Sequence, residues 1–277
     1  MRRDVVVELK KLTCKDNILF IQKCREAAEL LMLYAKHLGF NSVILQEEGG
    51  WYTYEKSAKK LNLNVFKAKM REGKLIKEDF PQEKAIVILN TNPGYAYSEN
   101  LEFYDDIKKL GSLIVNDVVC SIGDENSLKG DFIIGSFGRD KPLSISSGGA
   151  FIAFNDDFDF SFINNLLNEN FKEPSINFDE LLLAISNLKN KKSAWVSISN
   201  KIKKELISKG FNVLNKNDSI NIFVSASGSE KKNLIKFCDE RNLQYNVCPL
   251  YIRFMDEGVC IEIKKINVGD DFGIKTT

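Results

Sequence analysis

Three side chains of complementary chemistry lie in one stretch, Ser112 to Phe154: the carboxylate of Asp117, the hydroxyl of Ser136 and the amine of Lys141. Each follows an apolar run. Leu113-Ile114-Val115 stops at Asp117, and Phe132-Ile133-Ile134 stops at Gly135-Ser136-Phe137. Lys141 follows in a short polar loop, before Gly148-Gly149 opens a third run from Ala150 to Phe154. Short continuous apolar runs bounded by turn residues fit strands buried on both faces, as in a parallel or mixed sheet. Open α/β sheets hold ligands at the carboxyl ends of such strands. An acid, a hydroxyl and an amine are therefore expected to converge on one crevice.

The elements that must position them read as alternating β and α from residue 17 to residue 154. Ile18 to Ile21 runs into Gln22-Lys23-Cys24-Arg25 and a helix in which Ala27, Leu30, Leu31, Tyr34 and Leu38 share a face, with Gly39 as its stop. A strand feeding a helix N-terminus presents backbone N–H groups that can hold an anion. Ser42 to Leu45 ends at Gly49-Gly50, which places Trp51 at the head of the next helix. Leu63 to Ala68 is a strand, followed by a loop around a turn at Glu72-Gly73. Ala85 to Leu89 ends in Asn90-Thr91-Asn92-Pro93-Gly94, and Ser98 is placed to cap a helix bearing Leu101, Tyr104, Ile107 and Leu110. The pattern predicts a three-layer α/β/α large domain with a mostly parallel sheet over residues 1–160.

Residues 161–277 are expected to form a smaller C-terminal α+β domain. Helices are predicted over 178–190 and 197–209, flanking a short strand Ala194-Trp195-Val196. Strands follow at Ile220 to Ser225 and Gln244 to Val247, with a helix from Glu230 to Arg241 between them. Tyr251 to Phe254 and Val259 to Ile263 read as an antiparallel pair, and residues 1–12 as a short strand or arm.

Composition narrows the function classes. The chain has 277 residues, 44% hydrophobic and 28% charged, with a formal net charge of +1. That near balance gives no electrostatic footprint for nucleic acid or an anionic membrane. Six cysteines show no CxxC pair, and the single histidine, His37, lies in a helical pattern. A Cys/His zinc site and a Ser-His-Asp triad lack their ligands and base. No run has transmembrane length and the start is too charged for a signal peptide, so a reduced, cytoplasmic setting is the expectation. No GxGxxG follows a strand and no GxxxxGK[ST] occurs, which removes the main dinucleotide and nucleoside-triphosphate signatures.

The remaining set suits pyridoxal phosphate. A buried carboxylate beside the pyridine nitrogen keeps it protonated, a lysine amine condenses with the aldehyde, and a hydroxyl with helix N–H groups holds the phosphate. The order Asp117, Gly130-Asp131, Ser136-Phe137, Lys141 and Gly148-Gly149-Ala150 resembles fold-type-I pyridoxal-phosphate-dependent enzymes, in particular the DegT/StrS-type aminotransferases. The likeness covers residues 17–160 and implies roles. Lys141 would be the Schiff-base lysine, Asp117 the pyridine-nitrogen partner and Ser136 a phosphate ligand. Trp51 would stack on the ring, and Asn92 of Asn92-Pro93-Gly94 would approach the phenol oxygen. Lys23 and Cys24 stand at the phosphate-binding helix start, where the family usually has Gly, Ser or Thr, and Cys120 stands where it often has Gln or His.

Arg253, with Arg139 as the alternative, is the candidate for a substrate carboxylate. The resemblance implies an aminotransferase moving an amino group to a keto compound, such as a keto sugar, with a homodimer completing the site around a small-molecule substrate. The chain is about a hundred residues shorter than typical two-domain members. That shortness, with bulky residues from Gln22 to Arg25, equally suits a cofactor-only relative acting as a binding or regulatory dimer. Lyases and sulfur or selenium transfer use the same lysine–aspartate pair. Singly, each residue has an ordinary reading: a solvated loop lysine, a strand-end acid, a turn serine, a core tryptophan, an asparagine before proline.

Overall fold

The structure, a computed structural model, describes residues 1–96, 103–214 and 218–266. Helix α1 (Arg2–Thr13) leads to β1 (Asn17–Ile21), and α2 (Cys24–His37) returns to β2 (Ser42–Gln46). Helix α3 (Thr53–Lys60) precedes β3 (Asn64–Ala68), which runs into a hairpin of β4 (Met70–Arg71) and β5 (Lys74–Leu75). Then come β6 (Ile86–Asn90), α4 (Phe103–Lys109), β7 (Leu113–Asp117), β8 (Phe132–Ser136) and β9 (Ala150–Phe154). Helices α5 (Phe160–Asn170), α6 (Phe178–Ser186) and α7 (Leu188–Ser208) lead to the last part. It holds β10 (Asn212–Val213), β11 (Ile222–Ser225), α8 (Gly228–Glu240), β12 (Tyr245–Cys248) and β13 (Gly258–Ile261). Ser98 and Leu101, expected at a helix start, lie outside the described residues.

The apolar runs assemble as one seven-stranded sheet in the order β1-β9-β8-β7-β6-β2-β3. Strand β9 is antiparallel to both neighbours and every other pair is parallel. Strands β2, β6, β7 and β9 are buried along their whole length, which is why their sequences run apolar without alternation. Successive side chains point to opposite faces. Ile21, Val43, Leu45, Ile88 and Val115 meet α2, α3 and α5 in one cluster, whereas Phe20, Ile133, Phe151 and Ala153 meet α1 and α6 in another. Ile44, Val87, Leu89 and Ile114 pack with Tyr104 and Ile107 of α4. This is the expected three-layer arrangement. Helices α5 and α6, which lie beyond the boundary expected near residue 160, still pack on this sheet.

Close packing constrains β8 at Gly135, where an added Cβ would lie 2.2 Å from Phe151 Cε1 and 2.6 Å from Cζ. Phe151 is fully buried and has no slack to move. Gly135→Ala should therefore cost about 1–3 kcal/mol through overpacking, read as a lower urea midpoint at unchanged m-value.

The second sheet is antiparallel, in the order β10-β11-β13-β12, with α7 and α8 against it. Three expectations are corrected here. Residues 1–12 are helical, because Val5, Leu9 and Thr13 recur at a spacing of four and bury one face toward α6. Ala194-Trp195-Val196 is not a strand. Trp195, Ser199, Ile202 and Leu206 are the buried stripe of one 21-residue helix, so a local apolar triplet is outweighed by helical periodicity. Tyr251 to Phe254 forms a turn, in which Arg253 N donates to Leu250 O at 2.8 Å, and β13 pairs with β11 and β12 instead. The turn expected at Glu72-Gly73 is present and closes the β4–β5 hairpin, with φ of 51° and 71° at its corners.

Candidate functional site

Parallel strands end on one edge of the sheet, so β1, β2, β6, β7 and β8 deliver the residues that follow them to the same place. Asn90 pairs with Asp117 in register, and Asp117 pairs with Ile134, two residues before Ser136. Between β2 and β6 the ends are fastened by Gln46, whose Oε1 accepts from Asn90 N at 2.7 Å. The turn after β2 is fixed from outside the sheet. Buried Glu48 accepts from Gly73 N at 3.0 Å and from Met255 N, and burial raises its carboxyl above the ordinary value. Next to it Gly49 has φ +73°, and a Cβ there would meet Pro93 Cβ at 2.7 Å. Only glycine allows this turn to lie so close to Pro93.

These ends enclose a cavity of about 460 Å³. Its wall includes Lys23, Cys24, Trp51, Asp117, Ser136 and Lys141, six of the residues singled out from sequence. Asp117 is 3% exposed. Its Oδ1 accepts from Val119 N at 3.0 Å and its Oδ2 from the Tyr54 hydroxyl at 2.8 Å. Burial pushes its pKa up, against the opposing pull of those two donors and of the Lys141 charge. Tyr54 is itself buried, and burial together with the Asp117 charge holds its phenol well above the usual range. Cys24 Sγ lies 3.9 Å from the same hydroxyl, and burial likewise holds its thiol well above the ordinary value. Cys24 is thus a protonated, weakly reactive thiol at neutral pH.

Ser136 Oγ accepts from Gly138 N at 3.2 Å at the entrance to the lysine loop. That loop is closed at its base by Phe137 N donating to Gly149 O at 2.8 Å and by Ile145 N donating to Phe137 O at 3.0 Å. Lys191 of α7 braces it. Its Nζ donates to Lys141 O and to Ser144 Oγ, both at 2.9 Å, and lies 5.0 Å from the centre of the Trp195 ring. The Lys141 backbone is therefore positioned from the second half of the chain. On the opposite wall α2 begins at Cys24, with Lys23 extended at the cap position and no side-chain cap. An uncapped helix start flanked by Lys23 and Arg25 favours an anion.

The donor set fits pyridoxal phosphate. The Asp117 carboxylate offers about four acceptor sites, of which two are engaged, so a ring N–H can still be accepted. Thr53 Oγ1 is a buried hydroxyl at the cavity wall without a partner, as expected where a polar ligand would complete the bonding. Trp51 and Val119 supply aromatic and apolar wall.

Other candidates are placed elsewhere. Asn92 and Cys120 line a neighbouring open cavity of about 890 Å³ beside α7, and Asn92 N donates to Asn90 Oδ1 at 2.9 Å. Arg253 is not offered to a substrate carboxylate: its Nε and Nη2 donate to Glu262 at 2.6 and 3.0 Å, and Nη1 to Ile252 O at 2.7 Å. The expectation that Arg253 meets a substrate carboxylate left out Glu262, nine residues on, which only the intervening turn and β13 bring to it. Arg139 is 95% exposed, with Nε 3.8 Å from Asp140. No sequence motif marks Tyr54 and Thr53; the nearest signal is Trp51, whose carbonyl accepts from Tyr54 N at 3.0 Å just ahead of α3.

No protein-family description and no curated protein matches the chain. Solved structures do. A serine palmitoyltransferase from S. paucimobilis with bound PLP–myriocin superposes with a TM-score of 0.74 at 14% identity, covering 97% of this chain and 72% of that one. A DegT DnrJ EryC1 StrS aminotransferase from Brucella abortus gives a TM-score of 0.72 at 12% identity, covering 94% of this chain and 84% of that one. The Sphingomonas wittichii serine palmitoyltransferase gives 0.70 at 13%, covering 94% and 69%. The chain has the fold-type-I architecture of pyridoxal-phosphate-dependent enzymes.

Proposed function

We propose that the cavity binds pyridoxal 5'-phosphate and that the protein is a pyridoxal-phosphate-dependent aminotransferase, passing an amino group from an amino acid to a keto compound such as a keto sugar. The observation that carries this is the meeting of Asp117, Ser136 and Lys141, from the ends of adjacent strands, with the uncapped start of α2 at one cavity. Bound there, the cofactor would supply an electron sink through its ring. Asp117 would hold the proton on the ring nitrogen. Lys141 would supply the amine that condenses with the aldehyde, and then carry a proton between carbon and nitrogen as general acid and base. Ser136, Lys23 and the N–H groups of α2 would hold the phosphate. Trp51 would cover one face of the ring and keep water from it.

Pyridoxal phosphate added to the purified protein should produce a band at the visible edge, and an amino-acid donor should then shift it. A protein that stays colourless and takes up no cofactor overturns the proposal. One observation favours a second reading, a cofactor-holding dimer without turnover: Arg253 is committed to Glu262. A band that no donor in an amino-acid panel shifts supports that reading. Among the described residues no helix is long and apolar enough to cross a membrane.

A further inference from the structure

We propose that Tyr54 is a positioning residue for Asp117: its hydroxyl holds the carboxylate at the end of β7 so that the remaining lone pairs face a protonated ring nitrogen in the cavity. The inference rests on the cavity being a pyridoxal-phosphate site, and it deepens that reading by giving the acid a dedicated holder.

The geometry is specific. Tyr54 sits in the first turn of α3, borders the cavity and packs in the cluster shared by α2, α3 and the sheet, so its ring is fixed in place. Its hydroxyl donates to Asp117 Oδ2 at 2.8 Å while Val119 N donates to Oδ1 at 3.0 Å. Two donors on two different oxygens fix the carboxylate plane. The phenol proton is spent on Asp117, so the contact of 3.9 Å to Cys24 runs the other way, with the thiol as donor to the phenol oxygen. A line from Cys24 through Tyr54 to Asp117 results, in which each bond polarises the next.

The same contact governs charge. Three groups face Asp117: Tyr54 from α3, Cys24 from the start of α2 and Lys141 from the loop after β8. Cys24 and Tyr54 are held neutral by burial, so they add no charge of their own. Burial drives Asp117 toward its protonated form, and the Tyr54 hydroxyl opposes this by donating to the ionised form. Without that donor Asp117 takes up its proton at higher pH. A protonated acid no longer compels the ring nitrogen to be protonated.

The test is Tyr54→Phe, which keeps the ring and removes the hydroxyl. In protein labelled with ¹³C at aspartate carboxyls and free of cofactor, the Asp117 resonance, assigned with Asp117→Asn, should titrate at higher pH in the variant. Incorporating 3-fluorotyrosine, a stronger donor, should move the midpoint the other way without disturbing packing. With pyridoxal phosphate added, the variant should bind it about tenfold or more weakly, the usual cost of losing one hydrogen bond to a charged group. An Asp117 midpoint unmoved by either change overturns the assignment, even if the wild type binds the cofactor. A midpoint that moves in a protein unable to bind cofactor supports Tyr54 as the holder of Asp117 and overturns the cofactor reading instead.

Discussion

Lys141→Ala should abolish both the visible-edge band and the fixation of pyridoxal phosphate by borohydride, while leaving the protein folded. The backbone of the lysine loop is held through Lys141 O by Lys191 and Ser144, contacts that do not depend on the side chain. The variant loses the amine at the cavity wall and keeps Asp117, Ser136 and the α2 start for non-covalent binding. Loss of a positioned acid–base group typically costs 10²–10⁴ in rate, so turnover should fall by at least about 100-fold. Peptide mapping after borohydride treatment checks the assignment directly. A cofactor label on another lysine, or an undiminished band in the variant, would move the chemistry away from Lys141.

Glu262→Gln is the substitution with the largest expected effect on stability. Glu262 is fully buried, and its carboxylate accepts from Arg253 twice and from Asn246 Nδ2 at 2.6 Å, with Lys264 at 3.7 Å and Lys265 at 3.9 Å. Removing its charge takes the Glu262 carboxylate away from Arg253, which is 6% exposed, and from the buried Lys264. Breaking a buried pair in this way costs about 3–5 kcal/mol, a drop in Tm on the order of 10 °C for a chain of this size. Calorimetry or a thermal shift assay reads it.

The pH dependence of this cluster has a definite sign. Burial pushes the Glu262 carboxyl up, but Arg253 and the two lysines hold it below the usual value of 4.5. Its contribution is present above that value and is lost as pH falls through the lower, folded one. Lys264 behaves differently, because burial lowers it from 10.5 to about 8. The cost of burying its charge is in full force below about pH 8 and is relieved as pH rises toward 10.5. A wild-type protein whose stability falls across pH 8 to 10.5 without a rising component from Lys264, or a Glu262→Gln variant as stable as wild type at pH 7, would contradict this account.

Much of the first half of the fold was legible because buried parallel strands carry a strong local signal. Val43-Ile44-Leu45, Ile86 to Leu89 and Ile114-Val115 are continuous apolar runs, and each ends at a polar residue on the binding edge. Asp117, Ser136 and Lys141 could be read together because one short stretch contains all three. What stayed hidden depends on pairing that only the fold decides. Arg253 acquires its meaning from Glu262 on the far side of a turn, and β13 chooses β11 and β12 over Tyr251 to Phe254. Trp195 misled because three apolar residues in a Lys-rich segment imitate a short strand, while the stripe that makes them helical extends to Leu206. Tyr54 was hidden for another reason: its partner Asp117 is two elements away in the sheet, and only the parallel β2-β6-β7 order brings α3 over the end of β7.

Helix α7 joins the second sheet to the loop that carries Lys141. Its buried stripe is packed on that sheet from Leu206 to Trp195, and Lys191, one turn further toward the N-terminus, holds the lysine loop. The backbone that carries Lys141 is therefore tied to the second sheet through a single helical turn beyond Trp195, so the packing of that sheet contributes to holding the lysine loop at the cavity.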